Sequence, residues 1–266
     1  MINKETLNKV ERVLEILDDK QYDYSINRYR SSFLYRGLPN DSFLLKTTLD
    51  RNCKEKKKDI ENCILRNFSK YAVILDSALD QSVWNQMIVG QHHGLPTRLL
   101  DWTYSPLIGL NFALSDSSLE DLDKHDCVLW KIDINEINAL LPQKYKQILD
   151  EEKAYLFTVE MLKKCVTNID DYDSEMSNKS FVLLEPPSID QRIVNQYSYF
   201  SIQPFGINDL EQFLSDNTKN TVKYTITKDI KWQLRDLLDK MNINERIMYP
   251  GLDGLSSWLK RHYFVK

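Results

Sequence analysis

The chain has 266 residues, of which 42% are hydrophobic and 28% are charged, and its formal net charge is −4. This composition is typical of a globular protein. The negative balance excludes a general electrostatic footprint for nucleic acid, although it is compatible with a local basic groove. The four cysteines form no CxxC pair and are expected to be reduced thiols. We expect a cytoplasmic protein, because the N-terminus is polar and no apolar run approaches the roughly 18–20 residues of a membrane span.

Hydrophobic spacing predicts the elements of the first third of the chain. An amphipathic helix is expected over residues 5–19 and a strand over residues 31–38. Residues 51–58 are mostly charged and open a long predicted helix that extends to about residue 79. Their basic side chains could form a phosphate-binding patch, but a solvated helix end is the preferred interpretation.

The middle of the chain contains its most distinctive segment, residues 91–103, with the sequence Gln-His-His-Gly-Leu-Pro-Thr-Arg-Leu-Leu-Asp-Trp-Thr. Ser105 and Pro106 follow it, and Ser at the N-cap with Pro at the first helical position predicts a helix there. This helix runs to Leu114 and is apolar nearly all round, so we expect it to be buried. Its first N–H groups need partners, which nearby side chains or a bound anion would supply.

The remaining elements alternate irregularly along the chain. Residues 127–134 form the clearest predicted central strand, and residues 168–178 are predicted to be a mobile acidic loop. Residues 192–202 are expected to form two extended segments around a turn at Tyr197 and Ser198. Short strands mixed with helices predict an α+β fold: a single domain with a small mixed or antiparallel sheet flanked by helices. A helical N-terminal extension is expected at residues 1–28, before a main domain at 29–266.

Several common catalytic and binding motifs are absent from the sequence. It contains no GxGxxG motif after a strand, no P-loop and no GxSxG nucleophile motif. His92 and His93 are adjacent and therefore point to different sides of regular structure, and no further ligand follows at zinc-like spacing. No metal site is expected.

Three arginines are candidates for ligand binding. Arg98 and Asp101 bracket two leucines, so they form either a structural pair or a guanidinium fork for a phosphate or carboxylate. Arg36 ends an apolar strand and needs either an acidic partner such as Asp101 or exposure to a cleft, and exposure is favoured. Arg192 lies four residues before Gln196, whose amide could hold a ligand, although a structural glutamine is the better default.

The sequence resembles the FRG domain family, which is named for an aromatic-Arg-Gly element near its start. Tyr35-Arg36-Gly37 matches that element, and residues 91–103 resemble the most specific block of the family very closely. Residues 192–200 and 249–255 are similar to its later blocks, although Ser198 replaces a common glycine. The resemblance covers roughly residues 30–260, and the family occurs in bacteria and phages.

A more distant similarity links this family to the Arg-Ser-Glu class of ADP-ribosyltransferases. That similarity implies an ADP-ribosyltransferase-like core that binds NAD or a related nucleotide, with a role in bacterial or phage conflict. The residues it implies for nucleotide binding are Tyr35, Arg36, Gly37, Gln91, Thr97, Arg98, Thr103 and Arg192. The residues it implies for catalysis are His93, Asp101, Gln196 and Glu185. Gln196 stands where the class has its catalytic glutamate, and an amide cannot supply that negative charge.

Three hypotheses follow for the function. The first is an ADP-ribosyltransferase-like enzyme, in which Arg36 and Arg98 hold phosphates and His93, Asp101 and Gln196 act at the ribose. Its missing glutamate is replaced by Glu185 or Asp101, or its chemistry differs. The second is a module that binds a nucleotide, a nucleic-acid end or a protein tail without turnover, and the third is a scaffold. Either ligand-binding hypothesis requires residues 35–37, 91–103 and 192–196 to line one cleft. No membrane partner is expected, and any protein partner stays unidentified.

Overall fold

A seven-stranded mixed sheet forms the centre of the fold. The computed structural model describes residues 1–18, 21–72, 82–115 and 118–266. The strands are β1 (Asn3–Leu7), β2 (Tyr22–Asp23), β3 (Arg28–Tyr29), β4 (Phe33–Leu38), β5 (Leu99–Thr103), β6 (Cys127–Asp133), β7 (Val182–Leu184), β8 (Ser198–Ile202) and β9 (Val222–Ile226). The sheet has the order β1-β9-β6-β4-β5-β8-β7, while β2 and β3 form a separate hairpin. Only β1 and β9 pair in parallel within this sheet.

Helices cover the sheet and connect its strands. They are α1 (Val10–Leu17), α2 (Thr48–Cys53), α3 (Lys57–Ala72), α4 (Val83–His92), α5 (Pro106–Ala113), α6 (Ile134–Ala139), α7 (Gln143–Glu152), α8 (Val159–Cys165), α9 (Ile169–Met176), α10 (Gln191–Asn195), α11 (Leu210–Asn217), α12 (Lys231–Lys240), α13 (Glu245–Met248) and α14 (Leu252–His262). None of the helices in the described parts of the chain is long and apolar enough to cross a membrane.

Strand β6 shows how the sheet is buried. Val128 and Trp130 face one apolar cluster, whereas Cys127 and Leu129 face another cluster that includes side chains of α5 and α12. Because both faces are covered, β6 is apolar along most of its length and does not alternate with polar residues. The predicted mixed α and β architecture and the central strand are therefore confirmed, with a sheet larger than expected.

The predicted helix start at Ser105 is also confirmed. The Ser105 hydroxyl accepts a hydrogen bond from the N–H of Ile108 at 3.4 Å, and Pro106 begins α5. A side-chain acceptor at the N-cap satisfies one of the first N–H groups of the helix. No bound anion is needed for that group.

Four local predictions differ from the structure. Residues 3–7 form a strand because they extend the sheet beside β9, which a polar sequence does not reveal. The predicted acidic loop contains α9, since Asn168 caps it and the fully buried Tyr172 anchors it. The long helix is divided at Lys54, where φ is +47°, and the expected end beyond α3 lies outside the described residues. Residues 191–195 are helical because the Asp190 carboxylate caps the N–H of Ile193 at 2.9 Å.

Candidate functional site in the split between two strands

A cleft opens where β4 and β5 separate. Strand β4 pairs with β6 along its whole length, but its register with β5 contains the single pair Tyr35–Thr103. Beyond Tyr35 the two strands diverge, and a cavity of about 770 Å³ lies at the split. Its lining combines residues from the three predicted segments with the loop and helix after β4: Tyr35, Arg36, Gly37, Leu38, Pro39, Ser42, Phe43, Leu44, Lys46, Arg51, Gln91, Asp101, Trp102, Phe112, Ser115, Arg192, Gln196 and Ser198.

Gly37 allows helix α5 to pack directly against β4 beside the cleft. A Cβ atom at Gly37 would lie 2.1 Å from the carbonyl oxygen of Gly109 and 2.2 Å from the backbone nitrogen of Ala113. Any side chain at Gly37 would therefore displace the helix backbone. Gly37 thus fixes the packing beside the cleft, which explains why a glycine follows Arg36.

Arg36 occupies the split itself. Its Nη1 donates a hydrogen bond of 2.5 Å to the backbone oxygen of Asp101 and lies 3.5 Å from the Asp101 carboxylate. Its Nε is buried and has no hydrogen-bond partner among the described residues. Burial lowers the pKa of Arg36, the Asp101 charge opposes that shift, and the positive charge of Arg51 adds to it. The Arg36 guanidinium therefore lacks one hydrogen-bond partner and lies near the positive charge of Arg51.

Asp101 presents a carboxylate whose position is fixed by a short hydrogen-bond chain. The Thr97 hydroxyl donates to Oε1 of Gln91 at 2.7 Å, and Nε2 of Gln91 donates to both Asp101 carboxylate oxygens at 3.1 and 3.2 Å. The Asp101 side chain nevertheless remains 52% exposed. Thr97 therefore orients Gln91, which holds Asp101 towards the cleft.

Gln196 and Arg192 form the wall contributed by α10. Nε2 of the buried Gln196 donates to the backbone oxygen of Met248 at 3.0 Å. The Thr103 hydroxyl donates to the backbone oxygen of Gln196 at 2.8 Å, which ties this wall to β5. Arg192 is exposed, and its guanidinium carbon lies 5.0 Å from the centre of the Tyr249 ring. Gln196 is thus held by hydrogen bonds to Met248 and Thr103, while Arg192 is accessible from the cleft.

The cleft is basic although the whole chain is acidic. Among the described residues that line it, four are cationic (Lys46, Arg36, Arg51 and Arg192) and one is a carboxylate (Asp101), so together they carry a formal charge of 4 − 1 = +3. Phe43 and the half-buried Phe112 contribute accessible aromatic rings to the lining, whereas the Tyr35 and Trp102 side chains are 1% and 2% exposed and pack in the core. Guanidinium groups suit phosphate and carboxylate oxygens, and aromatic faces suit flat apolar groups. The arrangement therefore fits a ligand that combines an anion with an apolar ring.

Comparison with known families identifies the region that builds most of this cleft. Residues 31–122 match the family model of the FRG domain. The chain contains an FRG domain. The matched region includes both Tyr35-Arg36-Gly37 and residues 91–103, as the resemblance predicted. Neither the comparison with curated proteins nor that with solved structures finds a match.

Arg98, for which a nucleotide-binding role was predicted, is not among the described residues that line the cleft. The side chain is 1% exposed, and its guanidinium makes bidentate contacts with Glu61 and a 2.6 Å contact with Asp173. It also lies 4.1 Å from the centre of the Phe205 ring. Arg98 is therefore surrounded by protein partners, and these partners are Glu61 and Asp173, not the Asp101 that the sequence suggested.

Two residues with predicted catalytic roles also lie outside the cleft lining. His93 is exposed after the end of α4, with its ring 5.2 Å from that of His92. The Nε2 atom of His92 contacts the Asp190 carboxylate, and burial lowers the pKa of His92. Glu185 lines a different cavity. No group of three metal-ligating side chains occurs within the described ranges.

Lys46 and Arg51 were not predicted as site residues. The basic character of residues 51–58 was the available signal, but the preferred interpretation was a solvated helix end. Arg51 is held by hydrogen bonds from Nη1 to the backbone oxygen of Lys46 at 2.6 Å and from Nη2 to the Thr48 hydroxyl at 3.3 Å. Only the path of the chain after β4 places these cations opposite Arg192.

Proposed function

We propose that the cleft of the FRG domain binds a nucleotide, with NAD or an ADP-ribose derivative as the leading candidate. The observation that supports this most strongly is the pair of like charges at Arg36 and Arg51, together with the unpartnered Nε of Arg36. Bringing guanidinium groups together in a partly buried site is unfavourable until an anion neutralises them. A pyrophosphate provides such an anion.

The aromatic lining supports the nucleotide assignment over inorganic phosphate. Phe43 and Leu44 are 50% and 52% exposed at the cleft, and the half-buried Phe112 also lines it. A cavity of about 770 Å³ exceeds the volume that one phosphate fills. In this proposal Arg36, Arg51 and Arg192 bind the phosphates, while the apolar lining receives a base.

A second candidate function is transfer of the ADP-ribosyl group, which the fixed and exposed Asp101 carboxylate favours. In this reaction the bond between ribose C1′ and nicotinamide breaks, and its electron pair leaves with nicotinamide. A nucleophile of the acceptor then bonds to C1′ and loses its proton. Positive charge develops on the ribose meanwhile, and a nearby carboxylate stabilises it. Among the described lining residues Asp101 supplies the carboxylate, so we assign that role to it instead of Glu185 or Gln196.

Ligand-induced thermal stabilisation tests the binding proposal. Purified protein would be heated with NAD, with ADP-ribose and with uncharged adenosine as the comparison. Binding to the folded state raises Tm by mass action, and stabilisation of about 2.7 kcal/mol is expected at a hundredfold excess over Kd. We expect stabilisation by the two phosphorylated ligands and much less by adenosine. Equal effects of all three, or no effect of any, would contradict the proposal.

Nicotinamide release from NAD tests the transfer candidate separately. Asp101→Asn keeps the shape of the side chain but removes its charge, so release should fall by about a hundredfold or more. Thermal stabilisation by NAD should survive in this variant. If wild type binds NAD without releasing nicotinamide, the transfer candidate fails while the binding proposal stands.

A further inference from the structure

A second cavity of about 830 Å³ lies beside the β2–β3 hairpin, and none of the described residues lines both this cavity and the cleft. Its walls come from the hairpin region, from the ends of β5 and β6, and from the segments around residues 155 and 185. The lining residues are Gln21, Tyr22, Asp23, Ile26, Arg30, Ser31, Ser32, Tyr104, Ile134, Asn135, Ala154, Tyr155, Leu156, Glu185 and Tyr199.

Tyrosine rings form much of this second cavity. Tyr22 and Tyr155 are 39% and 69% exposed. Tyr104 and Tyr199 are partly buried, and their ring centres are 6.4 Å apart at an interplanar angle of 60°. The Tyr104 hydroxyl donates to the backbone oxygen of Ser31 at 2.7 Å, which ties the ring to the start of β4. The cavity therefore combines two fixed aromatic rings with two accessible ones.

The charged groups of the second cavity favour a cation. Among the described residues of its lining, Asp23 and Glu185 contribute two carboxylates, whereas Arg30 contributes one positive charge. The Asp23 carboxylate accepts hydrogen bonds from the backbone and hydroxyl of Ser25 at 2.8 and 2.6 Å. Glu185 is exposed, and its backbone N–H donates to Phe157 at 2.7 Å, which fixes the main chain there. Glu185 is thus a well-placed carboxylate beside aromatic rings.

We propose that the second cavity binds an organic cation, with a guanidinium or ammonium group placed among the tyrosine rings and balanced by Glu185. Aromatic faces attract cations through the quadrupole of the ring, and a carboxylate adds a direct charge interaction. Such a group is supplied either by a small amine or by an arginine or lysine side chain of another protein. This assignment gives Glu185 a role outside the nucleotide cleft and does not depend on the function proposed for that cleft.

Matched arginine and citrulline probes test this assignment by calorimetric titration. N-acetyl-arginine amide carries one positive charge, whereas N-acetyl-citrulline amide has nearly the same shape and none. We expect the arginine probe to bind more tightly, with a loss of roughly twofold to thirtyfold in affinity when the cation contact is removed. Equal binding of both probes, or no detectable binding of the arginine probe, would overturn the proposal.

Substitutions locate the binding to this cavity. Glu185→Gln and Tyr155→Ala should each weaken the arginine probe, whereas Glu160→Gln and Tyr263→Ala change exposed residues outside the cavity lining and should not. Unchanged affinity in both cavity variants would overturn the proposal. Thermal stabilisation by ADP-ribose should be the same in Glu185→Gln as in wild type, so that failure at one site is distinguishable from failure at the other.

Two further titrations distinguish the sources of the cation. Agmatine represents a small amine, and a glycine-serine peptide with one central arginine represents a side chain of another protein. Tighter binding of agmatine assigns the site to a metabolite, and tighter binding of the peptide assigns it to a protein partner. Both results support a cation site.

Discussion

Replacement of Arg98 by methionine should unfold or strongly destabilise the protein without removing a ligand contact. The variant leaves Glu61, which is 2% exposed, and Asp173, which is 15% exposed, without the guanidinium that joins them. Removing one partner of a buried ion pair typically costs about 3–5 kcal/mol. Whole domains are stable by only about 5–15 kcal/mol, so this one change consumes a large share of the total.

Thermal unfolding measures this loss directly. For a chain of this size, about 3–5 kcal/mol corresponds to a decrease in Tm of roughly 6–20 °C. The loss should also depend on pH. Burial raises the pKa of Glu61 in the folded protein, and hydrogen bonds from Arg98 oppose that shift. In Arg98→Met the folded-state pKa should rise further above the unfolded value of about 4.3, so stability is retained at low pH and lost as pH rises through the folded-state pKa.

The double variant Arg98→Met with Glu61→Gln completes the test. It removes the buried charge together with its partner, so it should recover part of the stability that Arg98→Met loses. A folded Arg98→Met protein with a Tm within about 2 °C of wild type and no ADP-ribose binding would refute this account. That result would place Arg98 in the ligand site and not in a buried ion-pair cluster with Glu61 and Asp173.

Three further predictions follow from the packing and charges around the cleft. Gly37→Ala should lower the free energy of unfolding, measured by chemical denaturation, by about 3 kcal/mol, because the added Cβ would meet the Gly109 oxygen. Gly94→Ala is the control: its Cβ would enter open space, so only the positive φ should cost stability, by about 1 kcal/mol. Equal losses would contradict the close approach. Affinity for ADP-ribose should decrease as salt increases, and adenosine binding should not; an affinity independent of salt would contradict phosphate binding. Burial lowers the pKa of His92, so the unfolded state binds protons more readily and the free energy of unfolding should fall as pH decreases through about 6.5. His92→Gln should reduce the dependence of that free energy on pH, whereas the exposed His125→Gln should not. The same pH dependence in both variants would contradict the prediction.

The elements predicted correctly are those whose signal is local. Ser105 and Pro106 start a helix through their own backbone and hydroxyl chemistry, and the apolar run of β6 requires burial on both faces. The α9 helix was missed because acidic surface residues hide the buried Tyr172 that holds it. Strand β1 was missed because its pairing with β9 comes from residues more than 200 positions away.

Only part of the candidate site was predicted, because the contacts that complete it also join distant residues. Tyr35-Arg36-Gly37 and residues 91–103 each suggested a site, but only the split between β4 and β5 brings Arg36 and Asp101 together. Arg98 appeared equivalent to Arg36 in the sequence. Its partner Glu61 comes from helix α3, 37 positions earlier in the chain, so sequence spacing could not reveal that the two arginines have different environments.

The central claim is that the cationic cleft binds a phosphorylated nucleotide, and calorimetric titration with ADP-ribose tests it most directly. Arg51→Gln and Arg192→Gln change exposed side chains and should preserve Tm, while each weakens binding by about tenfold to a hundredfold. Arg66→Gln changes an exposed arginine outside the cleft lining and should leave binding unchanged. Identical ADP-ribose affinities in wild type and all three variants would contradict the account.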